Sequence, residues 1–330
     1  MGRLVVIGAS LGGVPALIQI AAALPEGFPA PVLTVLHVGQ LPSILPTLLA
    51  SNSRLEVSHA THDEPLHAGR IYVAPPDHHM LVVDDRIVLT RGPKEHHTRP
   101  AIDPLFRSAA LAHGADVVGV VLTGTLDDGT TGLQAIKEAG GVAVVQDPED
   151  AFARSMPASA LKYVEVDHCV PLPLIPVLLS SLVAKRRPSA PASTSHRERL
   201  EHEQQLTLQK GNPVEHLQAL GKPSTFACPD CHGTLWDVLD SRPQRYRCHT
   251  GHSFTARTLQ ETMTMASDEA VSNARRALQE REILLRHMAD QCRALGEEHR
   301  AARLEQAARQ LERQGELLFD LLEKSPEPIE

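Results

Sequence analysis

Aromatic residues are scarce: one Trp, three Tyr and six Phe make up 3% of the 330 residues. A core of that composition is aliphatic, and 42% hydrophobic residues suffice for one large domain plus a smaller appendage. No uninterrupted apolar run approaches the roughly 20 residues of a membrane-spanning helix, so membrane insertion is not expected. The apolar N-terminus is interrupted by Gly12, Gly13 and Pro15 and lacks a basic n-region and a cleavage site. It reads as strand, tight turn and helix rather than as a secretory leader. Basic residues are outnumbered, 32 Lys and Arg against 40 Asp and Glu for a net charge of −8, which argues against a general nucleic-acid surface. Five cysteines, three of them clustered, are too few and too uneven for a disulfide framework. A reducing cytoplasm fits them.

Short aliphatic runs alternate with helical stretches through residues 1–184. Strands are expected at 4–7, 32–36, 70–73, 87–89, 117–122 and 142–145, and helices at 14–24, 102–112 and 131–139. Continuous Val/Ile/Leu runs are what strands buried on both faces require. The alternation predicts a doubly wound, mostly parallel α/β sheet. Residues 185–224 are Pro-, Ser- and charge-rich and read as an exposed linker with a short helix near 196–209. A small module is expected at 225–255 and a helical tail at 256–330. In the tail, Val271, Ala274, Leu278, Leu285, Met288, Cys292 and Leu295 form one heptad-like seam, and Leu304, Ala308, Leu311, Leu318 and Leu322 another. The seams are out of phase. A hairpin capped at Gly296 is favoured over one kinked helix, with self-association through the tail as its expected use.

The chemistry-bearing feature is Gly8-Ala9-Ser10-Leu11-Gly12-Gly13, directly after the first expected strand. A serine hydroxyl needs exposure, a base and oxyanion donors before it becomes a useful nucleophile. Glycines permit the tight strand-to-helix turn that exposes it, and the following helix N-terminus points amide donors into the same space. His37 ends the second expected strand, and Asp127 and Asp128 follow the run 117–122. Parallel strands end on one rim, so serine, histidine and an aspartate converge there. A Gly-rich turn after a first strand also serves as a phosphate cradle. A dinucleotide fold, however, places an acid after the second strand, where this chain has His37.

These residues fall into blocks that resemble the catalytic domain of the chemotaxis methylesterase (CheB) family over residues 3–182. The blocks are Ile7 to Gly13, the strand ending in His37, Gly69-Arg70-Ile71-Tyr72-Val73-Ala74-Pro75-Pro76-Asp77, Arg99-Pro100-Ala101-Ile102-Asp103-Pro104, Leu122-Thr123-Gly124-Thr125-Leu126-Asp127-Asp128-Gly129, Gln146-Asp147 and Ser155-Met156-Pro157. The resemblance implies hydrolysis of glutamate methyl esters on chemoreceptors and deamidation of selected glutamines, without a catalytic cofactor. By motif position it implies Ser10 as nucleophile, His37 as base and Asp128, rather than Asp127, as orienting acid. Leu11, Gly12 and Thr125 line the oxyanion turn. Leu11 and Thr125 stand where the family usually has threonine and methionine, and Val38-Gly39-Gln40-Leu41 replaces a proline-containing segment; these departures bear on rate and substrate preference. The first strand begins almost at Met1, so control by an in-chain receiver domain is not expected. Chemoreceptors, and other chemosensory signalling proteins, are the expected partners.

Cys228-Pro229-Asp230-Cys231 and Cys248-His249-Thr250-Gly251-His252 have the spacing of two zinc knuckles. Four soft or borderline donors in a tetrahedron suit structural Zn²⁺, with Cys228, Cys231, Cys248 and His252 as ligands and His232 or His249 as substitutes. A metal would stabilise a hairpin too small to build its own core. Two other functional classes stay open: a nucleotide- or phosphate-binding regulator, and a non-catalytic signalling scaffold on an esterase fold.

Overall fold

The apolar run Leu4–Ala9 forms β1 and is buried along its whole length, the pattern of a strand covered on both faces. After it come α1 (Gly13–Ala23), β2 (Val32–Leu36), α2 (Leu45–Ala50), β3 (Glu56–His59), β4 (Glu64–Pro65), β5 (Arg70–Val73), β6 (His79–Val83) and β7 (Arg86–Thr90). The series continues with α3 (Ile102–His113), β8 (Val117–Val121), α4 (Thr130–Glu138), β9 (Val142–Gln146), α5 (Ser155–Tyr163), β10 (His168–Val170) and α6 (Ile175–Ala184). The computed structural model describes residues 2–184 and 193–323. Seven strands form a parallel sheet in the order β10-β9-β8-β1-β2-β5-β3. Alternate residues of β1 enter two separate apolar layers, Leu4 and Val6 on one face, Val5, Ile7 and Ala9 on the other. The sheet is therefore doubly wound, as expected. The chain leaves β1 for β2 on one side and returns to β8 on the other. That reversal opens a crevice at the C-terminal end of β1, where ligands of open α/β sheets bind.

One expected strand lies elsewhere. Residues 87–89 belong to β7, which pairs antiparallel with β6 in a separate three-stranded sheet with β4. The connection is only Asp84-Asp85, both at positive φ (46° and 61°). A two-residue turn of that hand makes a hairpin and cannot make a parallel crossover.

The segment expected as a linker also differs. Residues 185–192 lie outside the described residues, but α7 (Thr194–Thr207) and α8 (Pro213–Leu220) follow directly. Ser193 caps α7, its Oγ accepting from His196 N–H at 3.2 Å, and Asn212 caps α8 ahead of Pro213. Leu200, Glu203 and Leu206 of α7 are buried. The helix expected near 196–209 is thus α7; the polar composition concealed its packing, because part of what it buries is a carboxylate.

Next, β11 (Gly221–Ala227), β12 (Thr234–Val238), β13 (Arg245–Cys248) and β14 (Ser253–Thr255) form a four-stranded antiparallel sheet. Its own core is only Cys228, Leu235, Cys248, Phe254 and Leu259. Two helices follow among the described residues, α9 (Ala256–Ala294) and α10 (Glu298–Glu323). The chain divides into two units, Met1–Leu259 and Gln260–Glu330. Within the second unit Gly296, at φ 77°, ends α9, and Glu297 N–H returns to Cys292 O at 2.9 Å. The two helices meet through Arg286–Glu312 (2.9 Å) and through Arg275 stacked over the Phe319 ring. This is the favoured hairpin. Cys292, Ala308 and Leu311 of the expected seams are buried, whereas Leu295, just past the end of α9, is 76% exposed. The expected end of the tail, 324–330, lies outside the described residues.

Candidate active site

Ser10 follows β1 at the crevice, and its N–H donates to Thr123 O at 3.0 Å. Gly12 adopts φ 79°, the left-handed turn that launches α1. Gly124 passes so close that an added Cβ would fall 2.9 Å from Ser10 Cβ and 2.1 Å from Met156 Sδ. Only glycine permits that approach.

His37, next after β2, places Nδ1 3.0 Å from Ser10 Oγ and Nε2 2.8 Å from Asp128 Oδ2. Asp128 is buried and accepts three backbone bonds: Ile102 N–H to Oδ2 (2.7 Å), and Asp103 N–H (3.0 Å) and Gly129 N–H (2.8 Å) to Oδ1. The first two donors open α3, so the helix dipole also favours the carboxylate there. Serine, imidazole and carboxylate thus form one hydrogen-bonded chain, in which the nitrogen facing the serine can take its proton while the carboxylate fixes the ring. Leu11 and Thr125 are exposed beside Ser10, Leu11 by 52%. Among the described residues, the N–H groups of Leu11, Gly12 and Thr125 make no hydrogen bond within the chain and are free for an oxyanion.

Asp127, the other candidate acid, points elsewhere. Its carboxylate accepts from Thr258 Oγ1 at 3.0 Å, and burial raises its pKa above the ordinary carboxylate value. Behind the pair lies His96, buried, with Nε2 2.9 Å from Asp103 Oδ2 and 3.7 Å from Asp128 Oδ1. Its Nδ1 lies 3.4 Å from Thr258 Oγ1 and 4.0 Å from Asp127 Oδ1. Burial disfavours the imidazolium, but Asp128, Asp103 and Asp127 outweigh it and hold the His96 pKa up at about 9. Arg107 Nη1 adds a further positive group 3.8 Å from Asp103 Oδ2.

A second buried ionic group joins three segments. Arg107 Nη2 bonds Glu95 Oε2 (2.6 Å), and Arg247 bonds Glu95 Oε1 (2.7 Å) and Glu203 Oε2 (3.0 Å). Arg107 and Arg245 also pair Glu203. Nothing in the sequence spacing marked Glu95, His96, Glu203, Arg247 or Thr258, because their partners are more than 40 residues away or lie in other elements.

The four expected metal ligands converge. One donor atom from each of Cys228, Cys231, Cys248 and His252 lies within 4.8 Å of all the others; His232 and His249 are not part of the group. Both cysteine turns have knuckle geometry, with His232 N–H donating to Cys228 O (2.8 Å) and Gly251 N–H to Cys248 O (2.9 Å). The group can hold a metal ion.

A family model described as CheB methylesterase matches residues 5–179. A protein-glutamate methylesterase/protein-glutamine glutaminase 2 of Anaeromyxobacter dehalogenans is 40% identical over 181 residues, covering 54% of this chain and 53% of that protein. The chain thus spans about half the length of that relative. A Leptospira interrogans protein carrying the same pair of activity names is 37% identical over 180 residues and is covered over 93% of its length. Among solved structures, the Thermotoga maritima CheB methylesterase catalytic domain superposes with a TM-score of 0.54 at 34% identity, covering 56% of this chain and all of that domain. With its doubly wound sheet, its serine turn and these matches, the chain belongs to the CheB methylesterase family.

Proposed function

We propose that residues 1–184 hydrolyse glutamate methyl esters, and deamidate selected glutamines, on cytoplasmic chemoreceptor-type proteins. The observation that carries this reading is the chain Ser10 Oγ–His37 Nδ1 at 3.0 Å and His37 Nε2–Asp128 Oδ2 at 2.8 Å. A scaffold or a phosphate cradle has no use for that alignment. Ser10 Oγ attacks the ester carbonyl while His37 Nδ1 takes its proton. The imidazolium then protonates the departing methoxide, and methanol leaves. Water attacks the acyl-enzyme, giving its proton to His37, and the glutamate carboxylate departs as Ser10 recovers its hydrogen. With a glutamine substrate the leaving group is ammonia. Asp128 keeps the ring oriented and balances its charge, and no cofactor enters these steps. The test is methanol release from methylated receptor: activity in the wild type and its loss in Ser10→Ala support the reading. Equal activity in both proteins overturns it.

We further infer that Cys228, Cys231, Cys248 and His252 hold a structural zinc ion. Bond lengths of about 2.3 Å to sulfur and about 2.0 Å to nitrogen set the donors of a tetrahedron about 3.5–3.8 Å apart. Cys231–Cys248 (3.6 Å), Cys248–His252 (3.5 Å) and Cys228–His252 (3.7 Å) match that spacing. Asp230 Oδ2, buried without a hydrogen bond, lies 3.9 Å from the other ring nitrogen of His252, the place of a carboxylate that orients a metal-bound imidazole. The ion would tie the two knuckles together. One zinc per chain by elemental analysis, lost in Cys231→Ser, supports the site; zinc-free wild type overturns it.

A further inference from the structure

Residues 94–103 are anchored along their length, by Arg107 on Glu95, Arg99 on Asp77 and Ala101 N–H on His79, and at both ends. At the C-terminal end, the N–H groups of Ile102 and Asp103 hold the Asp128 carboxylate. At the N-terminal end the segment is fastened to the cysteine–histidine module. His96 N–H donates to Ser253 O at 2.8 Å, Ser253 N–H donates to Lys94 O at 3.4 Å, and His97 Nδ1 faces Asp230 Oδ1 at 3.2 Å. Arg247, one residue before the ligand Cys248, fills the Glu95 carboxylate. Between the two ends stands His96, in contact with Asp103, Asp128 and Thr258.

Thr258 completes the link. Thr255 Oγ1 caps the first turn of α9 by accepting Thr258 N–H at 3.1 Å, and it bonds Thr258 Oγ1 at 2.9 Å. Thr258 Oγ1 in turn bonds Asp127, the backbone neighbour of Asp128. A buried carboxylate at a helix N-terminus is held by both the hydroxyl and the dipole.

We propose that the cysteine–histidine module is a positioning element of the hydrolytic site, acting through Thr258 and His96 on the Asp127–Asp128 pair and so on His37. The inference rests on the assignment of Ser10, His37 and Asp128 as the hydrolytic set. Thr258 and His96 touch neither substrate nor reacting atoms; they are positioning residues. The catalytic sheet ends before the module begins, yet the Asp128 carboxylate is held by a segment that the module clamps. Asp230 extends the same clamp to the metal group, one oxygen toward His97 and the other toward His252. Displacement of a catalytic group by a fraction of an ångström lowers turnover without weakening substrate binding.

The test uses the full zinc-loaded chain with Thr258→Val, which removes the hydroxyl at nearly constant volume, and Thr258→Ser, which restores it. Circular dichroism checks folding, and Thr258→Ala is the second variant should the valine not be accommodated. On methylated receptor, Thr258→Val is expected to lower kcat on the order of tenfold with KM unchanged, and Thr258→Ser to recover to within about twofold of wild type. A second readout is independent of turnover: the downfield NMR signal of the His37 Nε2 proton, identified by its loss in His37→Asn. It is expected to shift or broaden in Thr258→Val and to return in Thr258→Ser. Wild-type kcat and an unmoved His37 signal in Thr258→Val overturn the proposal. Should Ser10→Ala stay as active as wild type, the hydrolytic assignment has failed, and the His37 signal alone decides whether Thr258 positions the pair.

Discussion

Arg247 and Glu95, both fully buried, meet at 2.7 Å across 152 residues of sequence. Arg247 also contacts Glu203 and Thr207 of α7, so one guanidinium joins the β13 strand, the α7 helix and the segment leading to α3. Without Arg247 the two carboxylates keep Arg107 and Arg245, but buried carboxylate oxygens lose charge-assisted hydrogen bonds. Arg247→Met is therefore expected to cost about 1–3 kcal/mol. The single tryptophan, Trp236, packs beside Leu206, Leu217 and Leu220 and reports the transition. Denaturant titration followed by its fluorescence checks the cost, and a midpoint within error of wild type would remove the network from the account of stability.

Stability should peak near neutral pH because two buried histidines are shifted in opposite directions. His79 is pushed down to about 4 by burial, its ring placed between Pro93 O and Ala101 N–H. The unfolded chain takes up a proton there below its ordinary pKa of 6.5, the native state only near 4, so stability declines as pH falls between the two. His96, held up at about 9 by Asp128, Asp103 and Asp127 against its burial, contributes fully below 6.5 and loses that contribution as pH rises toward 9. Glu95 adds an acid limb: burial opposes its charge, but Arg107 and Arg247 lower its pKa to about 2, so its contribution fades as pH drops from about 4.5. Thermal unfolding across pH 4–10 tests both arms; His96→Asn should flatten the alkaline one.

Asp128→Asn should preserve the fold and lower kcat by about 10⁴-fold, since the amide cannot hold the imidazole in the required tautomer. Because the three residues act as a unit, Ser10→Ala combined with Asp128→Asn should be about as inactive as Ser10→Ala alone. Additive losses measured by methanol release would mean that Asp128 works outside the chain through His37.

Leu11 is half exposed beside the serine, and Gly12 packs against Phe152, itself 78% exposed. Apolar groups at this rim face an incoming substrate rather than the core. Leu11→Thr is expected to change stability by no more than about 0.5 kcal/mol. Its effect should appear in KM for receptor substrate, by a few-fold; a large shift in melting temperature would instead assign Leu11 to the fold.

Zinc removal should alter the Trp236 environment even without substrate, because β12 carries the tryptophan between the two knuckles. A chelator titration read by emission, reversed by added zinc, tests this. Unchanged emission in demonstrably zinc-free protein would separate the module's fold from its metal.

The sequence by itself determined the doubly wound sheet, because runs such as Leu4–Ala9 and Val142–Gln146 are apolar without alternation and have no alternative that buries both faces. It also determined the position of Ser10 and His37, each directly after such a run, of Asp128 in the turn that follows another, and the convergence of the four cysteine and histidine donors, whose local spacing limits their geometry. Choosing Asp128 over Asp127 needed the family resemblance, since the two are adjacent and equally acidic. The hairpin of residues 79–90 escaped the reading because hydrophobicity marks a strand but not its sheet, which the turn at Asp84-Asp85 decided. Only the tertiary structure decided that residues 193–220 pack as helices, that Arg247 meets Glu95 and that Thr258 meets His96 and Asp127. Those contacts are buried polar pairings between distant positions. A charged residue has no periodicity that reveals burial; it is inside only because its partner is inside, and the partner is chosen by the fold.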